Sequence, residues 1–231
     1  MKYDYEDYWE DSEEERKEYY ENLYSKVKDF YKFPKNKTVL DVAGGSGQLS
    51  NYFGLKNVTL IDISDSGLEI AKKKFKFKTK KCDLVNDAWP TRGQKFDFAL
   101  CNEFLEHIHN PSKILGEINK SLKKGGILYI GQPNMKPDGE HHVIRVSHSY
   151  LKPLLEKNGF KIKAEVIVPK IINSKFSEMG SSKPFTVNLK IFIGATIGMF
   201  LSNKLQFTLA KKFPDVLGGF YHIRAEKIWK N

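Results

Sequence analysis

Cysteine is scarce in this chain, with Cys82 and Cys101 the two among 231 residues. Both close short apolar runs that read as buried strands, so a disulfide framework is excluded as the source of stability and free thiols in a reducing compartment are expected. Long apolar runs are also missing. The uncharged core of the longest, 191–201, falls well short of the about 20 residues that a membrane-spanning helix needs. The amino terminus lacks the basic-then-apolar layout of a secretory signal, which makes cytoplasm the expected location. Basic residues are sparse there too, because residues 1–22 carry ten acids against Lys2, Arg16 and Lys17. The chain as a whole is nevertheless at +10, so its body is strongly basic. Such a body attracts acidic or phosphorylated substrates, anionic lipid surfaces or RNA without choosing among them.

What is present is organised around Thr38-Val39-Leu40-Asp41-Val42-Ala43-Gly44-Gly45-Ser46-Gly47. A β-branched run ends in an acid and a glycine cluster, and helical spacing follows, so the segment reads as strand, tight turn and helix start. Glycines let a backbone pass close to a bound molecule. The acid argues against a phosphate ligand, which would be repelled, and for a cationic amino group or sulfonium. The dinucleotide fingerprint fails as well, since its third glycine position holds Ser50. A second buried strand, 58–64, again ends in an acid. Asp62 stands at the distance beyond a glycine turn at which a carboxylate takes the hydroxyls of a ribose.

Farther along, Cys82-Asp83-Leu84 closes a third strand, and Phe96 to Cys101 forms a fourth that runs into Asn102-Glu103-Phe104-Leu105-Glu106-His107. Segment 39–47, Asp62, 82–84 and 96–107 together resemble the successive motifs of the class I S-adenosylmethionine-dependent methyltransferases. The likeness is greatest to the small-molecule branch that includes quinone and sugar O-methyltransferases, and it covers roughly 38–168 with one more strand near the carboxyl terminus.

The resemblance implies an α/β fold, a Rossmann-like doubly wound seven-stranded sheet, mostly parallel with an antiparallel last strand and a helical insertion before it. It divides the chain into an N-terminal helical lid or cover at 1–37, a cofactor-binding core at 38–168, the insertion at 169–218 and the final strand at 219–231. It implies S-adenosylmethionine as cofactor. Asp41, Ala43, Gly44, Gly45 and Gly47 would then hold the methionine half, with Ile63 beside Asp62 at the ribose. Asp83 would meet the adenine amino group, Leu84 would lend backbone to the ring, and Asn102 would lie beside the cofactor at the end of the fourth strand. His107 would assist the acceptor, and His141, His142 and Arg145 would approach its pocket. Glycine is usual in the family where this chain has Ala43, and here the glycine stands one place later at Gly44. The metal-dependent catechol enzymes place an aspartate where this chain has Asn102, so no metal is expected.

The remaining segments carry simpler expectations. Tyr20, Leu23, Tyr24, Val27, Phe30 and Tyr31 recur at helical spacing before Pro34, and either cover the sheet or, with Tyr3, Tyr5, Tyr8 and Trp9, form part of a lid. Ser64 caps a helix that ends in Lys72-Lys73-Lys74, and the lysines from 72 to 81 alternate with Phe75 and Phe77 as on a half-buried edge strand. A helix spans 112–122, a fifth strand 127–130, and a sixth 160–168. Pro153 suggests that the helix after Ser147 begins as late as Ser149. The insertion is a lid that shapes the acceptor pocket, or a membrane-surface segment with contacts through 189–212.

The leading expectation is methylation of a small hydroxylated metabolite, a quinone precursor, sugar or nucleotide-sugar. RNA methylation would suit the basic body, but Cys101-Asn102-Glu103-Phe104 is not the Asn/Asp-Pro-Pro-aromatic pattern that holds an exocyclic amine, and no RNA-binding module is visible. A non-catalytic cofactor-binding subunit is the third reading, prompted by Ala43 and the insertion.

Overall fold

The computed structural model describes residues 20–21, 24–33, 36–138, 141–169 and 203–228. The aromatic leader, Leu23, and the uncharged stretch expected to act as lid or membrane segment lie outside these residues. Seven strands form one sheet: β1 Val39–Val42, β2 Val58–Asp62, β3 Lys78–Lys81, β4 Phe96–Asn102, β5 Leu122–Pro133, β6 Phe160–Pro169 and β7 Gly218–Lys227. Their spatial order is β3-β2-β1-β4-β5-β7-β6, with β7 antiparallel to both β5 and β6 and the other pairs parallel. This is the doubly wound sheet expected from the sequence.

Helices α1 Gln48–Tyr52, α2 Asp65–Phe75, α3 Pro111–Ser121 and α4 His148–Lys157 connect the strands. Two more, α5 Asn203–Lys212 and α6 Pro214–Leu217, precede β7. Among the described residues, no helix is long and apolar enough to cross a membrane. Ser64 caps α2 as expected, its hydroxyl accepting from the Gly67 amide at 3.1 Å. The lysine-rich β3 is indeed an edge strand, with exposed and half-buried residues along its length while Phe77 beside it is buried.

Two boundaries differ from the sequence reading. α4 starts directly after Ser147, whose hydroxyl accepts from the Tyr150 amide at 3.2 Å, and Pro153 sits inside the helix. The proline is tolerated because it is on the exposed face, where water can serve the carbonyl it leaves without a donor. β5 begins at Leu122, which pairs with Phe96, and the register then shifts so that Ile127 faces Phe98. Leu122, expected to close the preceding helix, thus starts the strand, and the residues between it and Ile127 form a bulge in a longer strand than the 127–130 expected.

Side chains alternate between the two sheet faces. Leu40, Val42, Ile61, Ala99 and Cys101 belong to one core, covered by α3 and α4. Val39, Leu60, Phe98, Leu100 and Tyr129 belong to the other, closed by Tyr24, Val27 and Tyr31. The N-terminal aromatic segment, part of it a 3-10 helix at Ser25–Phe30, therefore covers one face of the sheet. By the same alternation Asp41, Asp62 and Asn102 stand on that face, at the carboxyl ends of three adjacent strands.

Candidate active site

Chain order reverses between β1 and β4: the strands run outward through β2 and β3, then restart on the other side with β4 and β5. In an open α/β sheet the loops at the carboxyl ends of such strands diverge, and the crevice between them is the usual ligand position. Local backbone strain marks the same place. Ala43 follows β1 with φ 55° and Glu103 follows β4 with φ 49°, left-handed values that cost a residue with a side chain about 1–2 kcal/mol. The Glu103 amide is held by the Gly131 carbonyl at 2.8 Å, and its carboxylate accepts from the Tyr24 hydroxyl at 3.4 Å.

The turn after β1 is built around two carboxylates. Asp41 is 4% exposed and accepts from the Ser50 hydroxyl at 2.5 Å. Burial pushes its pKa up to about 7, opposed by the Ser50 hydrogen bond and assisted by the charge of Asp62. A methyl group on Gly44 would stand 2.6–2.8 Å from the atoms of this carboxyl, so Gly44 is required by space. Gly47 is required by conformation, with φ 73° immediately before α1. Asp62 ties two loops together, one oxygen accepting from the Gly45 amide at 2.8 Å and the other from the Ser64 amide at 3.0 Å. An ionised carboxylate offers about four acceptor positions, so those two bonds are compatible with ribose hydroxyls. Ile63 is half-buried between Asp62 and the Ser64 cap.

At the edge of the sheet, Asp83 accepts from the Val85 and Asn86 amides at 3.0 and 3.2 Å and from the Asn86 side chain at 2.8 Å. It organises the turn, while Leu84 is buried with Val42 and Ile61. At the end of β4 both polar atoms of the Asn102 carboxamide are buried with no partner. A Cβ on Gly131 would fall 2.5 Å from the Asn102 oxygen, so this glycine leaves room for the amide.

Beyond Asn102 the 3-10 turn Leu105–His107 presents a second polar group. His107 Nδ1 lies 2.7 Å from the His141 carbonyl, which places the ring proton on Nδ1 and the lone pair on Nε2. Burial holds His107 below the ordinary imidazole pKa. Glu106 is 2% exposed and accepts from the Gln132 side-chain amide at 2.9 Å, while burial raises its pKa to about 7. The His142 ring is stacked obliquely near His107, centroid to centroid 5.0 Å, and its Nδ1 donates to Asp138 at 2.8 Å.

Of the residues singled out from the sequence, Asp41, Gly44, Gly45 and Asp62 meet in one turn, and His107, His141 and His142 meet in another. Arg145 joins neither. It donates to the Asn134 side chain at 2.9 Å and to the Asp215 carbonyl at 2.5 Å, bracing the loop after β5 against α6. Gln132, Glu103 and Asp138 were missed by the sequence reading; the first two become informative only through a contact with a residue far away in the chain, whereas Asp138 holds its near neighbours His141 and His142.

Comparison with known proteins bears on what this crevice is for. Residues 13–165 match the family model described as a methyltransferase domain. The chain belongs to that family. A ubiquinone biosynthesis O-methyltransferase from Dechloromonas aromatica is 29% identical over 154 residues, 64% of this chain and 65% of that protein. The chain thus spans less than two thirds of the length of this relative. Among solved structures, phosphoethanolamine N-methyltransferase 2 of Haemonchus contortus in complex with S-adenosyl-L-methionine has a TM-score of 0.56 at 18% identity. The superposition covers 90% of this chain and 52% of that one. The cyclase SpnF has a TM-score of 0.59 at 18% identity, over 91% of this chain and 81% of that one. Likenesses at this identity establish the fold, and the presence of a cyclase among them shows that the fold alone does not dictate the reaction.

Membership of the methyltransferase family implies S-adenosylmethionine as the cofactor, and the residues present fit it. The buried Asp41 carboxyl packed against Gly44 suits a cation once ionised, and the orphaned Asn102 carboxamide needs a polar partner that a bound molecule supplies.

Proposed function

We propose that the protein transfers a methyl group from S-adenosylmethionine to a hydroxyl of a small metabolite of the quinone-precursor, sugar or nucleotide-sugar class. In this reading Asp41, Ala43, Gly44, Gly45 and Gly47 enclose the methionine half, Asp62 and Ile63 the ribose, Asp83 and Leu84 the adenine, and Asn102 the side nearest the reacting sulfur. The cofactor supplies an electrophilic methyl on a sulfur that is already a good leaving group. The chain's own tasks are to position the acceptor, exclude water and take charge of the acceptor's proton.

The observation that carries the choice of a hydroxyl acceptor is His107. Its Nδ1 proton is committed to the His141 carbonyl, leaving the Nε2 lone pair for the acceptor side, where a positioned group contributes roughly 10²–10⁴-fold. The likeness to ubiquinone O-methyltransferases supports the same class. His141 and His142 would line the acceptor's approach. The test is methyl transfer from labelled cofactor to a panel of catechol, quinol, sugar and nucleotide-sugar acceptors. Turnover on a hydroxylated acceptor, lost in His107→Ala while cofactor affinity is kept, is the expected result. Turnover confined to amine or RNA acceptors would overturn it.

A further inference from the structure

We propose that the lysine-lined groove at the β3 edge of the sheet is the docking surface of the chain's own acidic leader, residues 1–19. Seven of the ten residues from 72 to 81 are lysines and none is acidic. Lys72, Lys73, Lys74, Lys76, Lys78 and Lys81 are exposed. They stand on the last turn of α2, on its left-handed cap at Lys76 and on β3. Between α2 and β3 lies a groove of about 780 Å³, lined by Lys72, Lys73, Lys76 and Lys81 over Leu68 and Phe77. The acids on its rim are already taken, Glu69 by Lys73 and Asp65 by Lys81. Among the described residues, Lys72, Lys76 and Lys78 form no ion pair.

Two familiar roles explain some of these cations. Lysines complement the negative end of a helix, and lysines on an outer strand discourage pairing with another chain. Neither role requires that acids be absent from the whole stretch. Among the described residues β3 pairs with β2 alone, so its outer side is an unpartnered edge. Like charges crowded within one or two turns repel at distances inside the Debye length of about 8 Å, and a segment of opposite sign relieves that repulsion.

The chain carries such a segment. Residues 1–19 hold nine acids against Lys2, Arg16 and Lys17, and they join the described residues at Tyr20. The Tyr20 ring lies 6.5 Å from the Tyr52 ring, centroid to centroid, at the end of α1. At the other end of α1, a Cβ on Gly47 would fall 3.0 Å from the Phe77 ring, which floors the groove. One short helix therefore separates the point where the leader joins from its proposed seat. A segment of that length reaches about 28 Å as a helix and about 60 Å extended, against about 10 Å between packed helices. The lysines of α5, by contrast, belong to a helix packed on β6, at the opposite edge of the sheet. With the leader in place, the β3 edge is closed to other anionic chains. This docking is independent of the proposed methyl transfer.

The experiment is zero-length carbodiimide cross-linking of the whole chain, which joins carboxylates only to amines in direct contact, with the products mapped by peptide mass spectrometry. The pairs Glu117–Lys120 and Glu226–Lys163, each 2.8 Å apart, are the internal control. Monomeric product should carry bonds from the leader acids to Lys72, Lys73, Lys76, Lys78 or Lys81. These bonds should be lost at about 1 M salt, where the Debye length is about 3 Å. Lys72→Glu, Lys76→Glu and Lys78→Glu together should abolish them while the control bonds persist and thermal melts show the variant folded. Control bonds in wild type without any leader bond to 72–81 overturn the docking surface. So do leader bonds to these lysines found in cross-linked dimers alone, which would make a second copy the occupant, and leader bonds that survive the triple substitution.

Discussion

Asp41 should make both stability and cofactor affinity depend on pH, in opposite directions. Its carboxyl is buried, and its folded pKa is about 7 against an unfolded value of 3.8. The native state therefore holds a proton that the unfolded chain releases, so the stabilising contribution is fullest below pH 4 and is lost as pH rises through 7. Between pH 5 and pH 8 the loss from this one group is about 2.5 kcal/mol, or about 5–10 °C in melting temperature for a domain of this size. Asp41→Asn keeps the Ser50 hydrogen bond but cannot titrate, and the other raised carboxyl, Glu106, titrates in both proteins and cancels from the comparison. Melts of the cofactor-free proteins should show wild type losing stability relative to Asp41→Asn as pH rises. A cationic ligand, in contrast, needs the ionised form, so wild-type affinity should climb about tenfold from pH 6 to pH 8 while the variant stays weak and flat. Calorimetric titration at the two pH values measures this. Parallel pH dependence of wild type and variant in both assays would refute the placement of a titrating carboxyl in the crevice.

Other substitutions probe the same architecture. Asp62→Ala removes the acceptor of the Gly45 and Ser64 amides along with the proposed ribose contact, and should weaken cofactor binding tenfold or more, read by calorimetry. Gly44→Ala forces a methyl against the Asp41 carboxyl at 2.6–2.8 Å and should cost about 1–3 kcal/mol in denaturant unfolding. Ala43→Gly relieves a side chain at φ 55° and should instead raise the melting temperature by a few degrees, or leave it unchanged if the added chain entropy offsets the strain. Gly131→Ala should crowd the Asn102 amide and lower cofactor affinity more than stability.

The sheet was legible because each strand declares itself locally. Val39–Val42 and Val58–Asp62 are short apolar runs with buried residues throughout, each with one acid, Asp41 or Asp62, at or next to the end where the chain must turn. The turn proposed to hold the cofactor was legible as a turn for the same reason, since Asp41, Gly44 and Gly47 follow one another closely in the chain. The acceptor side was only half legible. His107 stood out by type, but Gln132 behind Glu106 is a long-range contact that no local pattern announces, and Asp138, four residues before His142, was overlooked although the contact is local. Arg145 has the right charge and the right neighbours in the chain, and it is drawn off by Asn134 at the far end of its own loop and by Asp215 in α6.

The exchange at positions 43 and 44 shows how such a turn is constrained. A glycine moved by one residue looks like compensation for the alanine, yet the two positions answer different demands. Position 43 must adopt φ 55°, and alanine meets it at an energetic cost that glycine would avoid. Position 44 has no left-handed backbone to satisfy, but any side chain there would strike the Asp41 carboxyl. Gly44 therefore cannot relieve the strain at Ala43, and the strain is carried by the surrounding contacts. Those contacts are visible: the Gly44 amide donates to the Ile61 carbonyl at 3.3 Å, and the Gly45 amide donates to Asp62. The loop after β1 is clamped to β2 through Gly44 and Gly45. It follows that breaking the clamp with Asp62→Asn, which keeps size but weakens the acceptor, should lower stability less in an Ala43→Gly background than in wild type. A double-mutant cycle reads that coupling directly, and strict additivity would mean that the clamp and the strained residue do not share their energy.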